Sequence, residues 1–78
     1  MRFVYLLRCS DGTIYVGCTS NLDERLKRHN GKEVHYTKSR LPVAIITYCA
    51  FSDKYKAFEF EKYLKTGSGR AFLNKRLV

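Results

Sequence analysis

Acidic residues are scarce in this chain of 78: seven Asp and Glu stand against fifteen Lys and Arg, for a net charge of +8. The excess suits a polyanionic partner, nucleic acid first, and by itself suits a merely basic soluble domain equally well. The bases do not form one block. Residues 54–78 hold seven of them with two acids, and the rest are spread along the chain. Cysteine is also scarce. Cys9, Cys18 and Cys49 form no CxxC pair, and an odd count closes no disulfide framework. Cys9 and Cys18 fall in apolar runs, where a free thiol behaves as a small buried hydrophobe. A reducing compartment, hence the cytoplasm, is expected. Two histidines and three scattered thiols make a poor zinc cluster. Long apolar runs are missing, so no membrane span is expected. Arg2 and Arg8 bracket an apolar run of only five residues, too short for a signal peptide. Repeats, linkers and low-complexity stretches are absent as well.

Aromatic residues, by contrast, are plentiful: six Tyr and five Phe, in a composition that is 45% hydrophobic. That excludes a disordered tail. A chain of this length buries only about 60–65% of the surface its unfolded form exposes, so a single domain over residues 1–78 is expected. Residues 2–9, RFVYLLRC, are apolar on both alternating sets and read as a strand covered on both faces. Ser10-Asp11-Gly12 is turn chemistry, and TIYVGC at 13–18 completes a hairpin. Two registers are open. A two-residue Asp11-Gly12 loop puts Tyr5 and Tyr15 on opposite faces. A three-residue loop pairs Tyr5 with Gly17 and Leu7 with Tyr15, and both tyrosines then share one face. Gly12 suits the left-handed position of a bulged turn, which favours the second.

Asn21, with Glu24 three residues on, opens a helix over roughly 22–30 that stops near Asn30-Gly31. A polar loop at 32–40 follows, then VAIITYC at 43–49 as a buried strand. Ser52 or Asp53 starts a second helix ending near Gly67. Ser68 and Gly69 make a joint, and residues 70–77 form a short third helix. The order β-β-α-β-α-α gives an α/β (α+β) layer with a mainly antiparallel three-stranded sheet.

Helical geometry singles out three positions. Leu22 and Leu26 mark the buried stripe of the first helix, and at about 100° per residue Arg25 and His29 fall on or beside that stripe. Asp23, Lys27 and Arg28 point outward. An Arg stem can cover apolar surface while its head stays wet, and a histidine can be an ordinary satisfied core group. In the second helix Ala57, Phe60 and Leu64 form the stripe. Glu61 lies within about 40° of it, while Glu59 sits at the solvent pole. A carboxylate on a buried face must be paired or hold a cation. For Glu61 both accounts stand open: an ion pair with Lys65 or Lys54, or a ligand for a Mg²⁺ that keeps several waters. Gly17 inside a strand marks a bulge or a close approach. Tyr5 and Tyr15 read equally well as ordinary half-buried strand tyrosines. Lys32, His35, Tyr36, Lys38 and Arg40 mix cations with an aromatic, which suits nucleic-acid contact as well as a solvated loop.

Val4-Tyr5, followed ten residues later by Tyr15-Val16-Gly17, resembles the paired motif of the GIY-YIG nuclease superfamily. Arg25 and His29 on the next helix, and Glu61 in AFEFEKYLK, match its remaining signature. The resemblance spans essentially the whole chain and is nearest to the small stand-alone bacterial members, where KYLKTGSGRAFL is also familiar. Phe3 occupies the glycine position of the first motif, a variant frequent in small members. No acid directly follows the third strand at Tyr48-Cys49-Ala50, where related small proteins often carry one.

The resemblance implies a metal-dependent endonuclease acting on DNA, with structured or damaged DNA as the substrate class and Mg²⁺ or Mn²⁺ as cofactor. By position it implies that Glu61 binds the metal and Arg25 stabilises the charge of the phosphorane. Tyr5 helps deprotonate the attacking water, while Tyr15 and His29 position phosphate or water. Tyrosine ionises near pH 10 when unperturbed, so His29 is the rival base. Gly17 and the loop residues 32–40 are expected at the nucleic acid. Two other functions stay open: a module of the same fold that binds DNA or RNA without cutting, and an interaction domain of a larger assembly whose basic surface grips RNA; a protein partner is open as well.

Overall fold

The computed structural model describes residues 1–78. In chain order it contains β1 (Arg2–Arg8), β2 (Ile14–Thr19), α1 (Leu22–Asn30), β3 (Ala44–Phe51), α2 (Lys54–Leu64) and α3 (Gly67–Arg76). The strands form one α+β sheet in the order β2-β1-β3, and both pairings are antiparallel. The expected order of elements is the observed one.

The hairpin has the three-residue loop. Gly12 adopts φ +84°, the left-handed conformation that glycine reaches without a Cβ clash. Cys9 and Thr13 close the loop through a backbone bond of 2.9 Å. Asp11 Oδ1 accepts from the Thr13 N–H at 3.1 Å and from its hydroxyl at 2.6 Å. The register that follows pairs Tyr5 with Gly17 and Leu7 with Tyr15, so the two tyrosines project from one face.

β1 is the central strand, which is why Val4, Tyr5, Leu6 and Leu7 are all buried despite alternating faces. On one face Val4, Leu6 and Val16 pack against Ala57, Leu64 and Leu73 from α2 and α3. Each fully buried Val or Leu side chain among them contributes about 1.5–3 kcal/mol of hydrophobic stabilisation. On the other face Tyr5 and Leu7 meet Leu22, Arg25 and Leu26 of α1.

Two expectations need correction. β3 is not a buried strand: it is the outer neighbour of β1, and Ile45 and Tyr48 are 37% and 53% exposed. Only one of its edges has a partner. α3 begins at Gly67, so the joint falls at Lys65-Thr66, not at Ser68-Gly69. Thr66 is the N-cap and accepts from the Gly69 N–H at 3.1 Å. Gly69 lies in the first turn because a Cβ there would collide with the Tyr63 carbonyl. α1 ends where expected, at Asn30 with Gly31 as its C-cap. Gly31 has an ordinary φ of −84°, and the left-handed residue is Lys32 at φ 63°. The Glu33 N–H donates to the Arg28 carbonyl at 2.9 Å and the Lys32 N–H to the His29 carbonyl at 3.1 Å. That is a Schellman motif with lysine in the usual glycine position.

At the start of α1 the Asn21 side chain accepts from the Glu24 N–H at 3.1 Å. The Asn21 N–H donates to Thr19 Oγ1 at 3.1 Å instead of to Glu24, so only half of a capping box forms. The cap directs α1 across the tyrosine face of the sheet. One stripe of α1 thereby points inward: Arg25 is half-buried and His29 fully buried, while Asp23, Lys27 and Arg28 are exposed.

Candidate active site

The Tyr5 ring lies across the Gly17 backbone of β2. A Cβ built on Gly17 would strike Cζ, Oη and Cε1 of that ring. The close approach at Gly17 is therefore made by Tyr5, and the position opens no gap for a ligand. The missing side chain at Gly17 is what admits the Tyr5 ring.

Laid this way, Tyr5 brings its hydroxyl to 3.0 Å from His29 Nε2. His29 Nδ1 lies 2.7 Å from Thr37 Oγ1, and the Thr37 hydroxyl reaches the Val34 carbonyl at 3.4 Å. One proton arrangement satisfies every polar atom: Tyr5 donates to Nε2, Nδ1–H donates to Thr37, and Thr37 donates to Val34. All three side chains are buried. Thr37 was not among the expected site residues. It stands in a polar loop with no periodicity to show that it turns inward.

The environment sets the charge states. Burial, then the positive charges of Arg25 and Arg28, holds the His29 imidazolium below its usual range, so the ring is neutral near pH 7 and can accept at Nε2. Burial pushes the Tyr5 phenol up to about 12, with the Arg25 charge opposing and Tyr15 and Glu61 adding to the rise. Tyr5 therefore keeps its proton at neutral pH and acts as a donor to His29. Tyr15 rests with its ring centroid 5.0 Å from that of His29 and 5.4 Å from that of Tyr36.

Arg25 stands against this cluster from α1. Burial works to lower its pKa, but the phenols of Tyr5 and Tyr15 beside it outweigh burial and raise it. It makes no ion pair, and its Nε is buried without a hydrogen-bond partner. The guanidinium also lines an open cleft of about 250 Å³ with Arg2, Arg28, Cys18 and Glu24. Arg2 and Arg28 are cations there that periodicity alone did not single out.

Glu61 projects from α2 toward the same region: burial first raises the Tyr5 phenol and the Cys18 thiol, and the Glu61 charge adds to both. Its side chain is 24% exposed and pairs with Lys65 Nζ at 3.0 Å, one turn along the helix. Of the two open accounts, the ion pair with Lys65 is present. Glu61 belongs to no group of three or more Asp, Glu, His or Cys residues that could hold a metal ion. A lone, partly exposed carboxylate is nevertheless a hard oxygen donor of the kind that holds Mg²⁺ or Mn²⁺ when water fills the other positions. The donor chemistry fits such a cation, and Glu61 would be its protein ligand.

The loop residues divide. Lys32, His35, Tyr36 and Lys38 are exposed. Arg40 is engaged internally: its Nε donates to Asp11 Oδ2 at 3.0 Å, its Nη1 donates to the Tyr36 carbonyl at 2.6 Å, and the guanidinium lies 4.1 Å from the Tyr36 ring centroid. It ties the loop to the hairpin turn and holds Tyr36 beside Tyr15. Asp11 is kept ionised well below the usual range, first by its bonds from Thr13 and then by Arg40.

A tyrosine pair on one sheet face, with an arginine and a histidine from the following helix, is the arrangement of a known nuclease class. A family model described as the GIY-YIG catalytic domain matches residues 1–76. The chain belongs to the GIY-YIG family. A UPF0213 protein of Bacillus licheniformis is 45% identical over 65 residues, covering 82% of this chain and 67% of the relative. A UPF0213 protein of Streptococcus agalactiae is 42% identical over 72 residues, covering 91% and 82%. The fold resembles the solution NMR structure of a UPF0213 protein from Bacillus halodurans, with a TM-score of 0.60 and 34% identity over 96% of this chain and 84% of that one. No helix is long and apolar enough to cross a membrane.

Proposed function

We propose that the chain is a divalent-metal-dependent endonuclease that hydrolyses phosphodiester bonds in DNA, with flapped, branched or damaged DNA as the substrate class. The observation that supports this most is Arg25. A guanidinium without a carboxylate partner and with one buried N–H unpaired leaves a donor unmet, at a cost of about 1–3 kcal/mol. A phosphate in the adjoining cleft offers the anionic oxygens it lacks. As negative charge grows on the phosphorane, a preorganised cation stabilises it more than it stabilises the ground state.

The hydrogen-bonded chain supports a role for Tyr5 that needs no free tyrosinate. The phenol is too weak an acid to be ionised at pH 7, but in the arrangement that satisfies every polar atom it donates to a neutral His29 Nε2 3.0 Å away. The Tyr5 oxygen takes a proton from the attacking water as its own proton passes to His29. Thr37, accepting from Nδ1–H, steadies the imidazolium that forms and holds the tautomer. This arrangement merges the two rival base assignments into one relay. A cation on Glu61 would supply Lewis-acid charge to the phosphate. Tyr15, whose ring packs on His29, orients the phosphate from the same face.

The test is a panel of linear, flapped, branched and single-stranded DNA with matched RNA, each with and without Mg²⁺. Mg²⁺-dependent cuts in DNA are expected. Glu61→Gln should abolish them with DNA binding largely kept, and Glu59→Gln should do little. Binding without cleavage on every substrate would point instead to a module that holds nucleic acid without turnover. Equal losses from the two Gln variants would refute the placement of the metal.

A further inference from the structure

β2 is an edge strand, and a groove of about 290 Å³ runs beside it, lined by Ile14, Tyr15, Val16, Tyr36, Lys65 and Arg70. Two of these residues carry positive charge and neither was singled out in the sequence as a ligand for nucleic acid. Arg70 is exposed and makes no ion pair or side-chain hydrogen bond. Lys65 belongs to two places at once: it lines this groove, and its Nζ lies 3.0 Å from Glu61 Oε2.

We infer that Lys65 serves two anions in turn. While no cation is bound it is the counter-ion of Glu61. When a divalent cation takes that carboxylate, Lys65 turns into the groove and, with Arg70, binds a backbone phosphate of the strand being cut.

Three points carry this. The pair is half-exposed, with 51% of the Lys65 side chain in contact with solvent, so it is weakly held and readily exchanged. A dication on Glu61 repels an ammonium held against the same carboxylate. The long lysine stem starts one turn beyond Glu61 and already lines the groove, so only side-chain rotation is needed. Because one lysine links the two sites, cation binding strengthens phosphate binding, and by linkage phosphate binding strengthens cation binding to the same degree. The phosphate half of this inference rests on the nuclease reading; the exchange at Glu61 does not.

The experiment has two arms. In the first, Mn²⁺ affinity of the free 78-residue chain is measured by electron paramagnetic resonance. Lys65→Gln should bind Mn²⁺ about two- to fivefold more tightly, the range that corresponds to losing an exposed ion pair. Lys62→Gln, which removes the same charge one residue beyond Glu61 but breaks no pair with it, should give less than half of that gain. In the second arm, binding of a short DNA duplex with a single-stranded tail is measured in an Arg25→Ala background, in EDTA and in Mn²⁺. Arg70→Gln should weaken binding in both conditions. Lys65→Gln should weaken it several-fold only in Mn²⁺. The inference is overturned if Lys65→Gln and Lys62→Gln change Mn²⁺ affinity equally. It is also overturned if Lys65→Gln costs the same DNA affinity with and without Mn²⁺, or if no DNA binds in Mn²⁺. Lys65-dependent binding in Mn²⁺ by a wild-type protein that never cuts would leave the exchange standing and refute the nuclease reading alone.

Discussion

Adding one methyl group at Gly17 decides what that glycine is for. An alanine Cβ there would overlap the outer end of the Tyr5 ring at Cζ, Oη and Cε1. The ring is buried and central, so it cannot swing clear into solvent. Inserting a methyl group into a packed core costs about 1–3 kcal/mol. Against this stands the gain of about 0.5–1 kcal/mol that alanine brings over glycine in a strand interior. Gly17→Ala should therefore destabilise by roughly 1–2 kcal/mol, a fall in Tm of about 4–16 °C for a chain of this size. Tyr5→Leu removes all three struck atoms while keeping an apolar side chain. In that background Gly17→Ala should be neutral or mildly stabilising, so a double-mutant cycle by urea unfolding should give a coupling of about 1–3 kcal/mol. The hydroxyl of a displaced Tyr5 also loses its 3.0 Å bond to His29, so turnover in Gly17→Ala should drop further than stability. Additivity of the two changes within about 0.5 kcal/mol would refute the contact between Tyr5 and Gly17.

Arg25→Ala should lower the cleavage rate by about 10²–10³-fold, the range for removing one stabiliser of transition-state charge; Arg28→Ala should mainly weaken binding and flatten its salt dependence, and the reverse pattern in single-turnover kinetics would refute the assignment. His29 is held below its unfolded value near 6.5, so the unfolded chain takes up the proton first: this stability is fully present above about pH 6.5 and is lost as pH falls toward the folded value. Thermal melts from pH 7.5 down to 5 should show a falling Tm whose slope flattens in His29→Gln. Lys32→Gly should raise stability by about 1 kcal/mol, because lysine pays for a left-handed φ of 63° that glycine adopts freely; no change in urea midpoint would place the strain elsewhere.

Local chemistry made much of this protein legible. Gly12 favoured a three-residue loop over a two-residue one, and with a side-chain period of two that loop length puts Tyr5 and Tyr15 on one face. Asn21 and the helical step of about 100° likewise turned Arg25 and His29 inward, because a helix's buried stripe is written in its own residues. What depended on distant partners was not legible. The apolar run at 43–49 looks the same whether a strand is central or at an edge, so sheet order decided that Ile45 and Tyr48 would be exposed. Gly17 announced a close approach but not that Tyr5 makes it. Thr37 sits in a loop without periodicity, and only the packing of that loop on α1 buries it against His29. The ambiguity of Glu61 was real at the level of sequence, since an i+4 lysine and a metal ion are satisfied by the same carboxylate. Only the fold sets Lys65 both on that carboxylate and in a groove beside β2, because the end of α2 and the outer edge of the hairpin meet nowhere in the chain's order, only in space.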